Sequence, residues 1–129
     1  MKRILVCLGL MLVFGLVFLA GVVTGQQTYG MPKTVIHVAK IQWKEDSTGE
    51  QRDRAIQGVK EMAATIPGIK NIWLSPDRVQ PREFHTAFVI EFENREAADV
   101  YAEHPAHDKW NEFYQTIRER SESLQITNR

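Results

Sequence analysis

Two stretches of the chain, Lys33–Lys44 with VIHVAKIQW at its centre and Phe84–Glu93, read as strands that alternate with a period of two, with apolar residues on both faces. In the first, Val35, His37, Ala39, Ile41 and Trp43 share one face. Ile36 and Val38 begin the other, and Lys40, Gln42 and Lys44 end it. In the second, Phe84, Thr86, Phe88, Ile90 and Phe92 oppose His85, Ala87 and Val89. A strand with apolar side chains on both sides must be covered on both sides. The first stretch therefore belongs near the centre of a sheet.

The intervening sequence supplies the helices. From Glu50 to Thr65, Ile56, Val59, Ala63 and Ile66 recur at helical spacing with Met62 beside them. Ser47 or Thr48 caps this helix and Pro67-Gly68 stops it. Ile69 to Leu74 reads as a strand, and Ser75 to Glu83 as a polar loop. Asn94 caps a short helix, Arg95 to Glu103. Pro105 bends the chain at His104 and suits the first position of a further helix. The stripe of that helix is Trp110, Phe113, Tyr114 and Ile117, with Arg118-Glu119-Arg120 as its solvated end. A short strand around Ser123 to Thr127 closes the chain.

The order β-α-β-β-α-α-β predicts an α+β, ferredoxin-like domain: a four-stranded antiparallel sheet with its helices on one side. Ile36, Val38, Ala87 and Val89 would then lie bare on the other side. A bare apolar sheet face predicts a homodimer through that face. Trp73 is a dimer contact or a pocket rim.

The N-terminus has a separate logic. Met1-Lys2-Arg3 precedes a run, Ile4 to Val23, with no charged residue, and small residues follow near Gly21 to Gly25. This is the pattern of a secretory signal. It also fits a retained anchor, because twenty residues of helix span about 30 Å. The expected organisation is a signal peptide or N-terminal membrane anchor over residues 1–25, a linker over 26–32, and the folded domain over 33–127. Lys2 and Arg3 would hold the N-terminus in the cytoplasm. The domain would then be secreted or periplasmic, or tethered to the membrane through residues 4–23. The single cysteine, Cys7, lies in the leader, so packing alone must hold the exported part together. Basic and acidic residues balance at 16 each, and no basic stripe marks a nucleic-acid surface.

The chemistry concentrates in Tyr101-Ala102-Glu103-His104-Pro105-Ala106-His107, read with His37. Three of the chain's four histidines are here; His85 reads as structural or exposed. A phenol among imidazoles can move protons at neutral pH. In that reading His107 removes a proton beside a carbonyl, Tyr101 supports the developing oxyanion, and His37 and His104 orient the groups. Ala39, Ile41, Trp43, Val59 and Phe88 would line an apolar cavity that admits a small apolar ligand. In a structural reading, His104 satisfies free backbone groups at the helix junction and Tyr101 fills core beside His37. A metal reading would use His37, His104 and His107, but their spacing matches no compact metal motif, so no metal is assigned. No cofactor is expected either.

Residues from about Lys33 to Ile126 resemble the stress-responsive A/B barrel family, the dimeric α/β-barrel proteins called Dabb. The resemblance rests on VIHV at 35–38, Ile66-Pro67-Gly68-Ile69, Phe88-Val89-Ile90-Glu91-Phe92 and, above all, YAEHPAH at 101–107. It implies a dimeric α+β barrel and a stress-associated role. In a plant cyclase of the family, the matching segment carries a catalytic tyrosine, here Tyr101, and a catalytic histidine, here His107. A pocket histidine there matches His37, and the histidine before the proline matches His104. The implied reaction is a cofactor-free, ring-closing aldol or a related enolisation. Asp108-Lys109-Trp110 replaces a small, glycine-containing segment, and the last strand ends in Leu124-Gln125-Ile126-Thr127 rather than in an acid and an aromatic. Three readings stand from sequence: a ligand-binding module, a proton-transfer enzyme, and a structural dimer whose histidines only pack.

Overall fold

A computed structural model describes residues 30–129. The expected leader or anchor, residues 1–25, and residues 26–29 of the linker lie outside the described residues. Among the described residues no helix is long and apolar enough to cross a membrane.

The elements follow in the order β1 (Val35–Trp43), α1 (Gly49–Thr65), β2 (Ile69–Trp73), β3 (Thr86–Phe92), α2 (Arg95–Glu103), α3 (Pro105–Ile117) and β4 (Arg118–Ile126). The strands form one antiparallel sheet in the order β2-β3-β1-β4. β1 is central, as its two apolar faces require: Val38 pairs with Val89 on one side and with Leu124 on the other. Val35, Ala39, Ile41 and Trp43 turn toward the helices with Phe88, Ile90 and Phe92, where they meet Ala55, Val59 and Met62 of α1. Each large side chain fully buried there contributes about 1.5–3 kcal/mol.

Local sequence fixes the helix ends. Thr48 caps α1 with a reciprocal box. Its hydroxyl accepts from the Gln51 amide at 3.2 Å, and the Gln51 side chain accepts from the Thr48 amide at 2.8 Å. After α1 the chain reverses through Gly68, whose φ of +82° lies in the left-handed region. A Cβ at that position would sit 2.4 Å from the Ala97 Cβ, so Gly68 also permits α2 to approach.

Two expectations are corrected. β4 is not a short strand near Ser123–Thr127; it runs nine residues and starts at Arg118. Arg118-Glu119-Arg120 is therefore strand, not helix end. The apolar stripe of α3 stops at Ile117, whose carbonyl accepts from the Lys44 amide at 3.0 Å, and this joins the next residues to β1. β4 is an edge strand, and its charged residues discourage further pairing. The second correction is Phe84. β3 begins only at Thr86, because the His85 amide bonds to the Ile41 carbonyl at 2.8 Å and His85 Nδ1 accepts from the Trp43 amide at 3.0 Å. Phe84 is buried outside the main core, with Lys40 Nζ 4.3 Å and Arg120 Cζ 5.4 Å from its ring centre. The alternation that grouped it with Phe88 breaks at His85.

The outer sheet face carries a straight apolar row. Trp73 pairs with Val89, Val89 with Val38, and Val38 with Leu124, so one side chain from every strand stands in line. Trp73 and Leu124 are each 51% exposed, and the next row adds Ile36 paired with Ile126.

Candidate functional site at the junction of two helices

The junction is built by one residue. His104 follows α2 in an extended conformation and caps α3, its Nδ1 accepting from the Ala106 amide at 3.1 Å. Its amide bonds back to Tyr101 O at 3.3 Å, and its carbonyl accepts from the His107 amide at 2.8 Å. Pro105 stands at the first helical position, where its missing N–H costs nothing. The last turn of α2 and the first turn of α3 thus hold Tyr101 and His107 on either side of a fixed corner.

Across that corner the Tyr101 and His107 rings meet with centroids 4.5 Å apart at 47°. β1 delivers His37 from the sheet, 6.1 Å from the Tyr101 ring and 6.1 Å from the Phe88 ring. Phe92 packs on Tyr101 at 5.1 Å, and Trp110 stacks on His107 at 6.0 Å. Trp110 is itself held by its indole N–H, which donates to Ala55 O at 2.8 Å. Three polar rings from separate elements therefore share one aromatic shell.

Burial sets the electrostatics. Burial lowers the His37 pKa below its ordinary value, and the nearby His107 lowers it further. His37 is thus a neutral imidazole at pH 7. Burial raises the Tyr101 phenol well above its ordinary value, with Tyr114 adding to the effect, so it keeps its proton. Tyr101 is buried, whereas His37 and His107 are half-buried. The Nδ1 atoms of both histidines are buried without a hydrogen-bond partner. Such atoms are rare, because burying a polar group unpaired costs about 1–3 kcal/mol.

The structure brings together Tyr101, His107 and His37. His104 instead spends its Nδ1 on the helix cap. Ala39, Ile41, Trp43, Val59 and Phe88 are 0–5% exposed and belong to the packed core. Ala39, Ile41, Val59 and Phe88 are packed rather than set around an open hollow as the sequence suggested, and Trp43 borders only a surface pocket beside His85 and Glu119. The alternation that points a side chain inward cannot tell a filled interior from an empty one. Phe88 alone of the five is in ring contact with His37. Among the described residues no group of three or more His, Cys, Asp or Glu is placed to hold a metal ion. The residue that sequence underweighted is Trp110, which its helical stripe assigns to the core first and to ligand stacking only second. Its spacing of three from His107 already put both rings on one helix face.

The stress responsive A/B barrel model matches residues 35–127. The chain belongs to this family. No curated protein matches it. Among solved structures, a dimeric ferredoxin-like protein from Thermobifida fusca superposes with a TM-score of 0.65 at 18% identity, covering 80% of this chain and 98% of that one. A hydroxynitrile lyase from Passiflora edulis gives 0.69 at 16% identity, covering 76% and 95%. SnoaB, a cofactor-independent oxygenase from Streptomyces nogalater, gives 0.62 at 13% identity, covering 75% and 94%. At these identities the likeness is one of fold. The fold is what all three share with this chain, and the cluster in this member must be read from its own residues.

Proposed function

We propose that this A/B barrel domain binds a small, largely apolar molecule whose polar group sits among His37, Tyr101 and His107. The observation that carries this reading is the pair of buried, partnerless Nδ1 atoms inside an aromatic shell. A ligand hydroxyl or carbonyl would pair with groups that the protein leaves unsatisfied, and the half-buried Trp110 beside His107 would cover its apolar part. The test is an imidazole 15N titration with 4-hydroxyacetophenone and acetophenone. Saturable shifts at His37 and His107, lost in His107→Ala, support the reading. Shifts that persist undiminished in that variant reject it.

A second reading is cofactor-free proton transfer, favoured by the direct contact of Tyr101 with His107. His107 would take a proton beside a carbonyl, and the Tyr101 hydroxyl would donate to the oxygen as it gains charge. The neutral His37 would orient the carbonyl. A hydroxynitrile lyase and a cofactor-independent oxygenase on the same fold are consistent with such chemistry. Exchange of α-protons of acetophenone for deuterium in D2O is the direct assay. Exchange that is abolished in His107→Ala, with ligand affinity largely kept, separates enzyme from binder.

The domain works as a homodimer through the outer sheet face in this reading. The apolar row of Trp73, Val89, Val38 and Leu124 and the dimeric description of similar structures support it. Sedimentation of the mature protein at micromolar concentration tests it, and a monomer there rejects it. Export, with residues 1–25 as cleaved signal or retained anchor, rests on the leader pattern. The mass of the mature protein decides between those two fates.

A further inference from the structure

We infer that a furrow between α1 and α3, which meets the histidine cluster only through the shared Trp110 ring, binds a small apolar carboxylate. The furrow has a volume of about 360 Å3, within the usual ligand range of about 300–1,000 Å3. Its floor is apolar: Met62 from α1, and Trp110 and Phe113 from α3. Gly58 creates the depth. A Cβ there would lie 2.4 Å from Trp110 Cδ1, so the N–H edge of the indole can approach α1 only because that side chain is missing.

The charge on its walls selects the ligand. Arg54 stands on α1 and Lys109 on α3, so the two helices present a cation each to the same furrow. The Arg54 guanidinium lies 4.2 Å over the Phe113 ring, which holds it at the apolar floor. Among the described residues neither Arg54 nor Lys109 has an ion-pair partner. Glu61 also lines the furrow, and the two cations outnumber it. An apolar floor flanked by unpaired cations fits an amphiphilic anion: the hydrocarbon covers Trp110 and Met62, and the carboxylate meets Arg54 or Lys109. A neutral alcohol of the same length would gain only the first part.

The test uses octanoate and 1-octanol as probes on the full chain, followed by the Trp110 indole N–H signal. Octanoate is expected to shift that signal saturably, with an affinity at least tenfold above that of octanol and weakened by salt. The double substitution Arg54→Gln with Lys109→Gln should lower octanoate affinity at least tenfold and leave octanol unchanged; both positions are solvent-side, so folding is preserved. Tyr101→Phe, which alters the histidine cluster, should leave octanoate binding unchanged. Equal affinities for the two probes would overturn the inference. So would an unaffected double variant, or loss of octanoate binding in Tyr101→Phe, which would place the anion in the histidine cluster instead.

Discussion

Gly58→Ala should destabilise the protein, although alanine is the better helix former. In an ordinary helix interior the substitution gains about 1 kcal/mol. Here the new methyl would stand 2.4 Å from Trp110 Cδ1 and 2.9 Å from its Nε1. The ring cannot simply swing away. Its N–H donates to Ala55 O at 2.8 Å, and its face stacks on Tyr114 at 4.4 Å and 15°. Overpacking of this kind costs about 1–3 kcal/mol. Losing the indole hydrogen bond adds about 0.5–1.5 kcal/mol. The net is a loss of about 2 kcal/mol, or about 1 M in the urea midpoint at an m-value near 2 kcal/mol/M. The sign should reverse once the indole is gone. In a Trp110→Leu background, Gly58→Ala meets a smaller, flexible side chain and should stabilise by about 0.5–1 kcal/mol. Urea unfolding of the four proteins in this cycle is the assay. A stabilising Gly58→Ala in the native background would refute the close approach of Trp110 to α1.

His104→Ala should cost about 1 kcal/mol in thermal or urea unfolding through loss of the α3 cap, and His104→Asn, which can still accept from the Ala106 amide, should recover most of it. The depressed His37 pKa gives a pH dependence: the unfolded chain binds its proton first, so stability is full above the unfolded value of about 6.5 and falls as pH drops below it. Urea midpoints at pH 7.5 and 5 should therefore converge in His37→Phe relative to the unsubstituted protein; an unchanged pH slope would show that His37 is not the group responsible. Tyr101→Phe keeps the ring contacts to Phe92 and His107, so its stability should change by less than about 1.5 kcal/mol while ligand affinity or α-proton exchange falls at least tenfold. Val38→Lys, in the middle of the outer apolar row, should convert a dimer to a monomer in sedimentation without unfolding it.

Much of the fold was legible because its signals are local. Thr48 and Asn94 mark helix starts through hydrogen bonds made within a turn of themselves, and Pro105 marks one through its fixed φ. The two-faced pattern of β1 forced it to the sheet centre. Tertiary pairing decided the exceptions. Arg118–Arg120 extend because β1 offers unpaired backbone, which their own charges do not reveal. Phe84 leaves its expected face because His85 ties the start of β3 to Ile41 and Trp43 of the neighbouring strand β1, a pairing distant in sequence from any local cue. The candidate site divides in the same way. The Tyr101 and His107 pairing follows from the cap at His104, whereas the arrival of His37 depends on the sheet. The filled state of the space around Ala39, Ile41, Val59 and Phe88 depends on side-chain volumes summed over four elements, and no periodicity encodes that sum.

The corner at His104 has a consequence for how such a protein can change over time. Six consecutive peptide units set the spacing of phenol and imidazole, so drift in the surrounding core leaves that couple intact. Only the third ring must be re-aimed whenever the sheet shifts beneath it. New specificities on this scaffold should therefore arise by repositioning the strand, with the corner carried along unchanged.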